Sequence, residues 1–120
     1  MEKKIITKNN VIIAVIKADE LVIKDTQSAL DLIATLDYYD QCQGIILYKE
    51  NIIEAFFNLS TGIAGEVLQK FVTYSKKLAI VGDFSMYESQ ALKDFIYECN
   101  QGNHIYFVAD EKTGVEKLSK

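Results

Sequence analysis

Hydrophobic and polar positions along the chain follow two alternating periods. Residues 9–17, NNVIIAVIK, are dense in β-branched side chains and predict a strand. ELVIK, residues 20–24, predicts a second strand, and the polar spacer Ala18–Asp19 makes an antiparallel hairpin the simplest connection. Leu30, Ile33 and Leu36 then recur at helical spacing, which predicts a helix over 26–39. Asp25 is placed to accept hydrogen bonds from the free N–H groups of its first turn, and Asp31 falls on its polar side.

After Gly44, IILY (45–48) reads as a short buried strand. Asn51 and Glu54 have capping-box spacing, so IIEAFFNL predicts a short helix stopping near Ser60–Gly62. Ile63, Val67, Leu68, Phe71 and Val72 form the apolar stripe of an amphipathic helix running to about Ser75. LAIVG (78–82) lacks polar alternation, as expected of a central strand covered on both faces. Ser85 and Glu88 repeat the capping-box spacing ahead of a third helix, whose core face is Ala91, Leu92, Phe95, Ile96 and Cys99 and whose end suits Gly102. HIYFVA (104–109) predicts a last strand, and EKTGVEKLSK an exposed final helix weakened by Gly114.

The predicted order is β-β-α-β-α-β-α-β-α. A hairpin followed by alternating helices and strands implies an α/β fold, with a mixed, mostly parallel sheet and helices packed on it. At 120 residues the chain has the size of one domain spanning 1–120, and its 49% hydrophobic content is enough for a core without metal or disulfide support. Its apolar runs are too short to cross a bilayer, and the N-terminus has no apolar signal region, so a cytoplasmic protein without membrane contact is expected.

The net charge of −4 disfavours nucleic acid as a partner, because such binding depends on cations that neutralise phosphates. Every basic residue is lysine, which removes the bidentate guanidinium fork used for phosphate and carboxylate recognition. Cys42 and Cys99 stand alone in their segments, with neither zinc-ligand nor disulfide-framework spacing, and Cys99 fits a packing role. No metal and no cofactor is expected.

The element order resembles the STAS fold of bacterial anti-sigma-factor antagonists. In that family a loop of the form Asp-Ser-Ser/Thr-Gly-hydrophobic-Gly opens the second helix, and its first serine is phosphorylated by a partner kinase. LSTGIAG (59–65) sits at a comparable place, so the resemblance puts Ser60 at the phosphoacceptor position. Leu59 stands where that family has aspartate, and the second glycine comes one residue late. A resemblance over nearly the whole chain is carried by FFNLSTGIAGEVLQKF, LAIVGDFS, ALKDFIYECNQG and IYFV. These segments resemble a bacterial family of unknown function, number 4180, which implies no particular activity.

Ligands of open parallel sheets gather beyond the carboxyl ends of the strands. Asp83, Phe84 and Ser85 directly follow a predicted strand, while Ser60, Thr61 and Gly62 open a helix, with Gly65 one turn on. These seven residues are the candidate ligand or partner rim, formed by 59–65 and 82–85. The bland alternative is that Ser60 or Thr61 caps the helix and Gly62 ends the preceding turn. The glycines match neither a P-loop nor a dinucleotide fingerprint, and Ser60 lacks the preceding glycine of a nucleophile elbow. A triad of Ser60, Asp83 and His104 is disfavoured, because His104 begins its strand whereas Asp83 follows a parallel neighbour, about 15–20 Å away. Adjacent Phe56 and Phe57 point in different directions, so one of them is expected at the surface, where it would favour a pocket or self-association.

The reading is therefore a non-enzymatic binding or regulatory domain acting through this rim, on a protein partner or a small ligand, with a homodimer as a further expectation. The alternative is a small hydrolase using Asp83 with the hydroxyl of Ser60 or Thr61.

Overall fold

The hairpin that opens the sheet turns at Asn9–Asn10, not at Ala18–Asp19. In the computed structural model, which describes residues 1–120, β1 (Glu2–Lys8) pairs antiparallel with β2 (Val11–Lys17), from Glu2 opposite Lys17 to Lys8 opposite Val11. Asn9 and Asn10 both have positive φ, 53° and 66°. That is the geometry of a two-residue hairpin turn, and asparagine tolerates it better than most residues bearing a side chain. Residues 20–24, expected as a strand, are a loop whose Ile23 makes one isolated parallel bridge to Ile52, in the segment after β3. The reason is competition: β1 takes one edge of β2 and β3 takes the other, so no edge is left for ELVIK. Its Val22 and Ile23 N–H groups both donate to the Asn51 carbonyl instead.

The remaining elements are α1 (Thr26–Tyr39), β3 (Gly44–Tyr48), α2 (Ile63–Thr73), β4 (Lys77–Val81), α3 (Gln90–Gln101), β5 (Ile105–Val108) and α4 (Glu111–Leu118). Strand order follows chain order, and β2 to β5 are parallel. The expected α/β class and mostly parallel sheet are therefore present. α1 begins as predicted: the Asp25 carboxylate accepts the Ser28 N–H at 2.8 Å, and the Ser28 hydroxyl accepts the Asp25 N–H at 3.1 Å. Together these satisfy two groups of the helix start.

Because the chain steps in one direction from β2 to β5, right-handed crossovers place α1, α2 and α3 on a single face of the sheet. That face holds the main core of 22 buried residues, among them Leu36, Phe56, Phe71, Leu78 and Leu92. The opposite face is covered by α4, over a smaller core of Ile13, Val15, Ile46, Ala79, Val81, Tyr106, Val108 and Leu118. The final helix was expected to be exposed, and this is a correction. Leu118 is fully buried, and a Cβ on Gly114 would stand 3.3 Å from Ile46 Cδ1 and 3.4 Å from Ala79 Cβ. The glycine that weakens the helix by propensity is what lets its backbone approach the sheet.

The segment between β3 and α2 also departs from expectation. Residues 52–59 do not form one helix; three short 3-10 turns occupy Lys49–Asn51, Glu54–Phe57 and Leu59–Thr61. Asn51 is not a cap. It is buried, and its side-chain amide donates to the carbonyls of Ala18 (2.7 Å) and Glu20 (3.0 Å), tying down the loop after β2. Phe56 and Phe57 are both buried, so neither is the surface aromatic expected from their adjacency. A 3-10 turn between two packed layers gives both rings access to the core.

Candidate functional site

The rim at the carboxyl ends of β3 and β4 is assembled from three short stretches. After β4, Asp83 forms a local turn: its Oδ1 accepts the Ser85 N–H at 2.9 Å and the Ser85 hydroxyl at 2.6 Å. The side-chain hydrogen bond from Ser85 is the main reason the Asp83 carboxyl lies below its ordinary pKa. Ser85 does not cap α3, contrary to the Ser85–Glu88 spacing. Ser89 does so, accepting the Leu92 N–H at 3.2 Å. Residues 83–88 are irregular around a turn at Ser85–Met86, where the Tyr87 N–H donates to the Phe84 carbonyl at 3.3 Å, and both Phe84 and Tyr87 enter an aromatic seam.

That seam joins the two loops. The Phe57 ring stacks on Tyr87 with centroids 5.4 Å apart and lies 6.0 Å from Phe84, which in turn meets Phe107 of β5 edge-on at 5.3 Å. The Tyr87 hydroxyl donates to Glu54 Oε2 at 2.9 Å. Burial, aided by this carboxylate, pushes the Tyr87 hydroxyl well above the usual tyrosine range. The Lys49 ammonium sits over the Tyr87 and Phe57 rings, 5.1 and 5.9 Å from their centroids, a cation–π arrangement. Met86, beside the seam, is 69% exposed.

The predicted serine–threonine stretch lies next to this seam and is turned on itself. Ser60 Oγ donates to Asn58 Oδ1 at 2.7 Å, and the same oxygen accepts the Ser60 N–H at 3.2 Å. Thr61 Oγ1 lies 2.9 Å from the carbonyl oxygens of both Ala55 and Asn58. Neither residue is the N-cap of α2. Gly62 holds that position with φ of +79°, a conformation that favours glycine, and it also ends the preceding 3-10 turn. No hydrogen bond joins Asp83 to Ser60 or Thr61; each uses its polar atoms within its own loop. Gly65 faces away, in a groove between α1 and α2 bordered by Thr26, Glu66, Gln69 and Lys70. His104 is exposed just before β5, at the sheet end opposite Asp83.

A family model for a domain of unknown function, DUF4180, matches residues 8–118. The chain belongs to the DUF4180 family. Neither the comparison with curated proteins nor that with solved structures gave a match. The family description leaves the chemistry of this DUF4180 chain to be argued from its own side chains.

Lys49 and Tyr87 were not singled out from sequence; Glu54 entered only as a capping residue and Phe57 only as one of two adjacent aromatics. Glu54 and Tyr87 are far apart in the chain, and no local pattern signals their meeting. A second polar cluster was also missed, on the α4 face. Glu111 opens α4 and takes the Lys4 ammonium at 2.7 Å and the Tyr48 hydroxyl at 2.9 Å, while Lys17 lies 5.3 Å from the Tyr48 ring centroid. The Lys4 hydrogen bond is the leading cause of a lowered Glu111 pKa; burial, with the Glu111 bond second, pushes Tyr48 up to about 12. Beside it, at the carboxyl ends of β2 and β3, a cleft of about 420 Å³ is lined by Lys17, Asp19, Tyr48, Glu50 and Asn51 among others.

Both thiols lie above their ordinary pKa because of burial, Cys99 at about 11, which lowers the fraction of reactive thiolate. No group of three or more His, Cys, Asp or Glu side chains is arranged to hold a metal ion. No helix is long and apolar enough to cross a membrane.

Proposed function

We propose that this chain is a cytoplasmic, STAS-like binding or regulatory domain that acts without catalysis, through the rim of residues 59–65 and 82–85. The observation that carries the reading is the aromatic seam of Phe57, Phe84 and Tyr87. It holds the loops after β3 and β4 as one surface, while Ser60, Thr61, Asp83, Ser85 and Met86 remain exposed around it. Pre-organised loops at the carboxyl edge of a parallel sheet lose little conformational freedom on binding. The occupant favoured is a protein, because the exposed groups form a surface of mixed polar and apolar character rather than lining an enclosed cavity. The element order supports a STAS-like arrangement, and with it Ser60, exposed two residues before the Gly62 cap, as the position where a phosphate would alter binding.

A photoreactive residue in place of Met86, used in the producing cells, tests the reading. A discrete protein adduct is expected from position 86. It should be absent from the same probe at Asn9 and weakened by Asp83→Lys. Equal adducts from both positions, or none from position 86, would overturn the proposal. The hydrolytic alternative predicts instead a turnover abolished by Asp83→Ala. Local use of the Asp83, Ser60 and Thr61 polar atoms favours the binding reading over it.

A further inference from the structure

β1 is an edge strand of seven residues, and all of them except Ile6 are exposed. Its outer backbone groups can be assigned from β2. The Ile12 carbonyl accepts the Gln43 N–H at 2.9 Å, and the Ile12 N–H donates to Gln43 Oε1 at 2.7 Å, so both main-chain groups of Ile12 face away from β1. Antiparallel pairs alternate between bonded and non-bonded. Since Ile12 stands opposite Thr7, the odd residues Lys3, Ile5 and Thr7 direct their N–H and C=O groups to the free edge.

Free edges are usually blunted by lysine, proline, a bulge or a covering loop. This strand has no proline, and its pairing with β2 runs without a bulge. Two of its lysines are drawn toward carboxylates of their own chain, Lys3 to Asp40 at 2.6 Å and Lys4 to Glu111 at 2.7 Å. Ile5, which follows them, is 42% exposed on the edge.

We infer that two copies of this chain pair through β1, antiparallel about a twofold axis normal to the sheet at Ile5, joining their sheets into one. In that register Ile5 meets Ile5 of the second copy and Lys3 meets its Thr7, with two backbone hydrogen bonds at each such pair. Glu2 meets Lys8 of the second copy at both ends, and Lys4 meets its Ile6. The twofold axis keeps each face of the sheet continuous, so odd residues oppose odd and even oppose even. Moving the axis to Lys4 sets Lys4 against itself, and moving it to Ile6 sets Lys4 against Lys8. The self-complementary charge pattern therefore selects the register centred on Ile5, since like charges directly opposite destabilise a ladder. β1 lies at one edge of the sheet, whereas the proposed binding rim follows β3 and β4, so this pairing leaves the rim free in both copies.

Sedimentation and native mass spectrometry of the purified protein, from micromolar to millimolar concentration, test the inference. A two-chain mass is expected. Ile5→Pro should abolish it while preserving the monomer's circular dichroism, because the N–H it removes faces outward. Glu2→Lys should weaken the dimer by about tenfold through two like-charge pairs, and Glu2→Lys with Lys8→Glu should restore it. In a Cys99→Ala background, Ile5→Cys should trap a disulfide between copies, since directly opposed residues lie about 5.5 Å apart between Cα atoms, within disulfide reach. Cys42 is fully buried and would not compete. A single-chain mass throughout would overturn the inference. So would a dimer that survives Ile5→Pro, or one that Ile5→Cys fails to trap.

Discussion

The two faces of the sheet are sealed by opposite means. On the α1–α3 face, large side chains fill a deep layer: Phe56, Phe71, Leu36 and Leu92 are all essentially inaccessible. On the α4 face, a helix of eight residues closes over seven buried sheet side chains and adds its own Leu118. Its backbone comes close to Ile46 and Ala79 because Gly114 carries no side chain. One face is stabilised by volume and the other by proximity, with the Lys4–Glu111–Tyr48 cluster at the helix start. In the deep layer a lost side chain leaves a cavity, whereas at the close contact an added one has nowhere to go.

The largest effect should come from emptying the deep layer. Phe71→Ala is expected to cost about 3–5 kcal/mol in chemical denaturation, by lost burial and the cavity left behind. A cost below that of Gly114→Val would break the comparison. Gly114→Val should itself destabilise by about 1–3 kcal/mol through overpacking against Ile46, Ala79 and Val108. Its signature should be local. Hydrogen exchange should rise across 111–118 and leave α1 protected; a uniform rise would mean the faces are not separable.

Smaller effects concern the polar ends of the helices. Asp25→Ala should lower the melting temperature by less than Gly114→Val does, because it removes the α1 cap on the deep-core side. Glu111→Gln should cost less than about 1 kcal/mol, since Lys4 is largely solvated. The pH dependence of the wild type should expose this cluster. Glu111 has a folded pKa below its ordinary 4.5, so its contribution is present above that value and is lost as pH falls through the folded pKa. Tyr48 titrates from an ordinary 10.0 to about 12 in the fold, so its contribution is present below pH 10 and is lost as pH rises toward 12. Melting temperatures for the wild type and Glu111→Gln should converge at acid pH. Parallel curves across the acid range would remove Glu111 from the account.

Local pattern was a good guide wherever a neighbour in sequence is also the deciding neighbour in space. The span of α1 and its Asp25 cap, the apolar strands β3, β4 and β5, and the alternation of helices and strands from α1 onward were legible. The candidate site was legible only in part. Its loops follow from strand ends, but the hydroxyl that meets Asp83 is that of Ser85 in its own loop, not that of Ser60 or Thr61. The side chains that join the loops, Lys49, Glu54, Phe57 and Tyr87, become partners only after β3 and β4 align.

The amino-acid sequence by itself determined the α/β class and the positions of the helices on the deep face, because a period of 3.6 or a run of apolar residues is a local property. Only the tertiary structure decided that Asn9–Asn10 rather than Ala18–Asp19 turns the hairpin, that residues 49–61 wind as 3-10 turns, and that α4 is buried. Each of these depends on which strand edge or sheet face is still open when the segment arrives. Such competition between distant segments leaves no trace in the periodicity of either one.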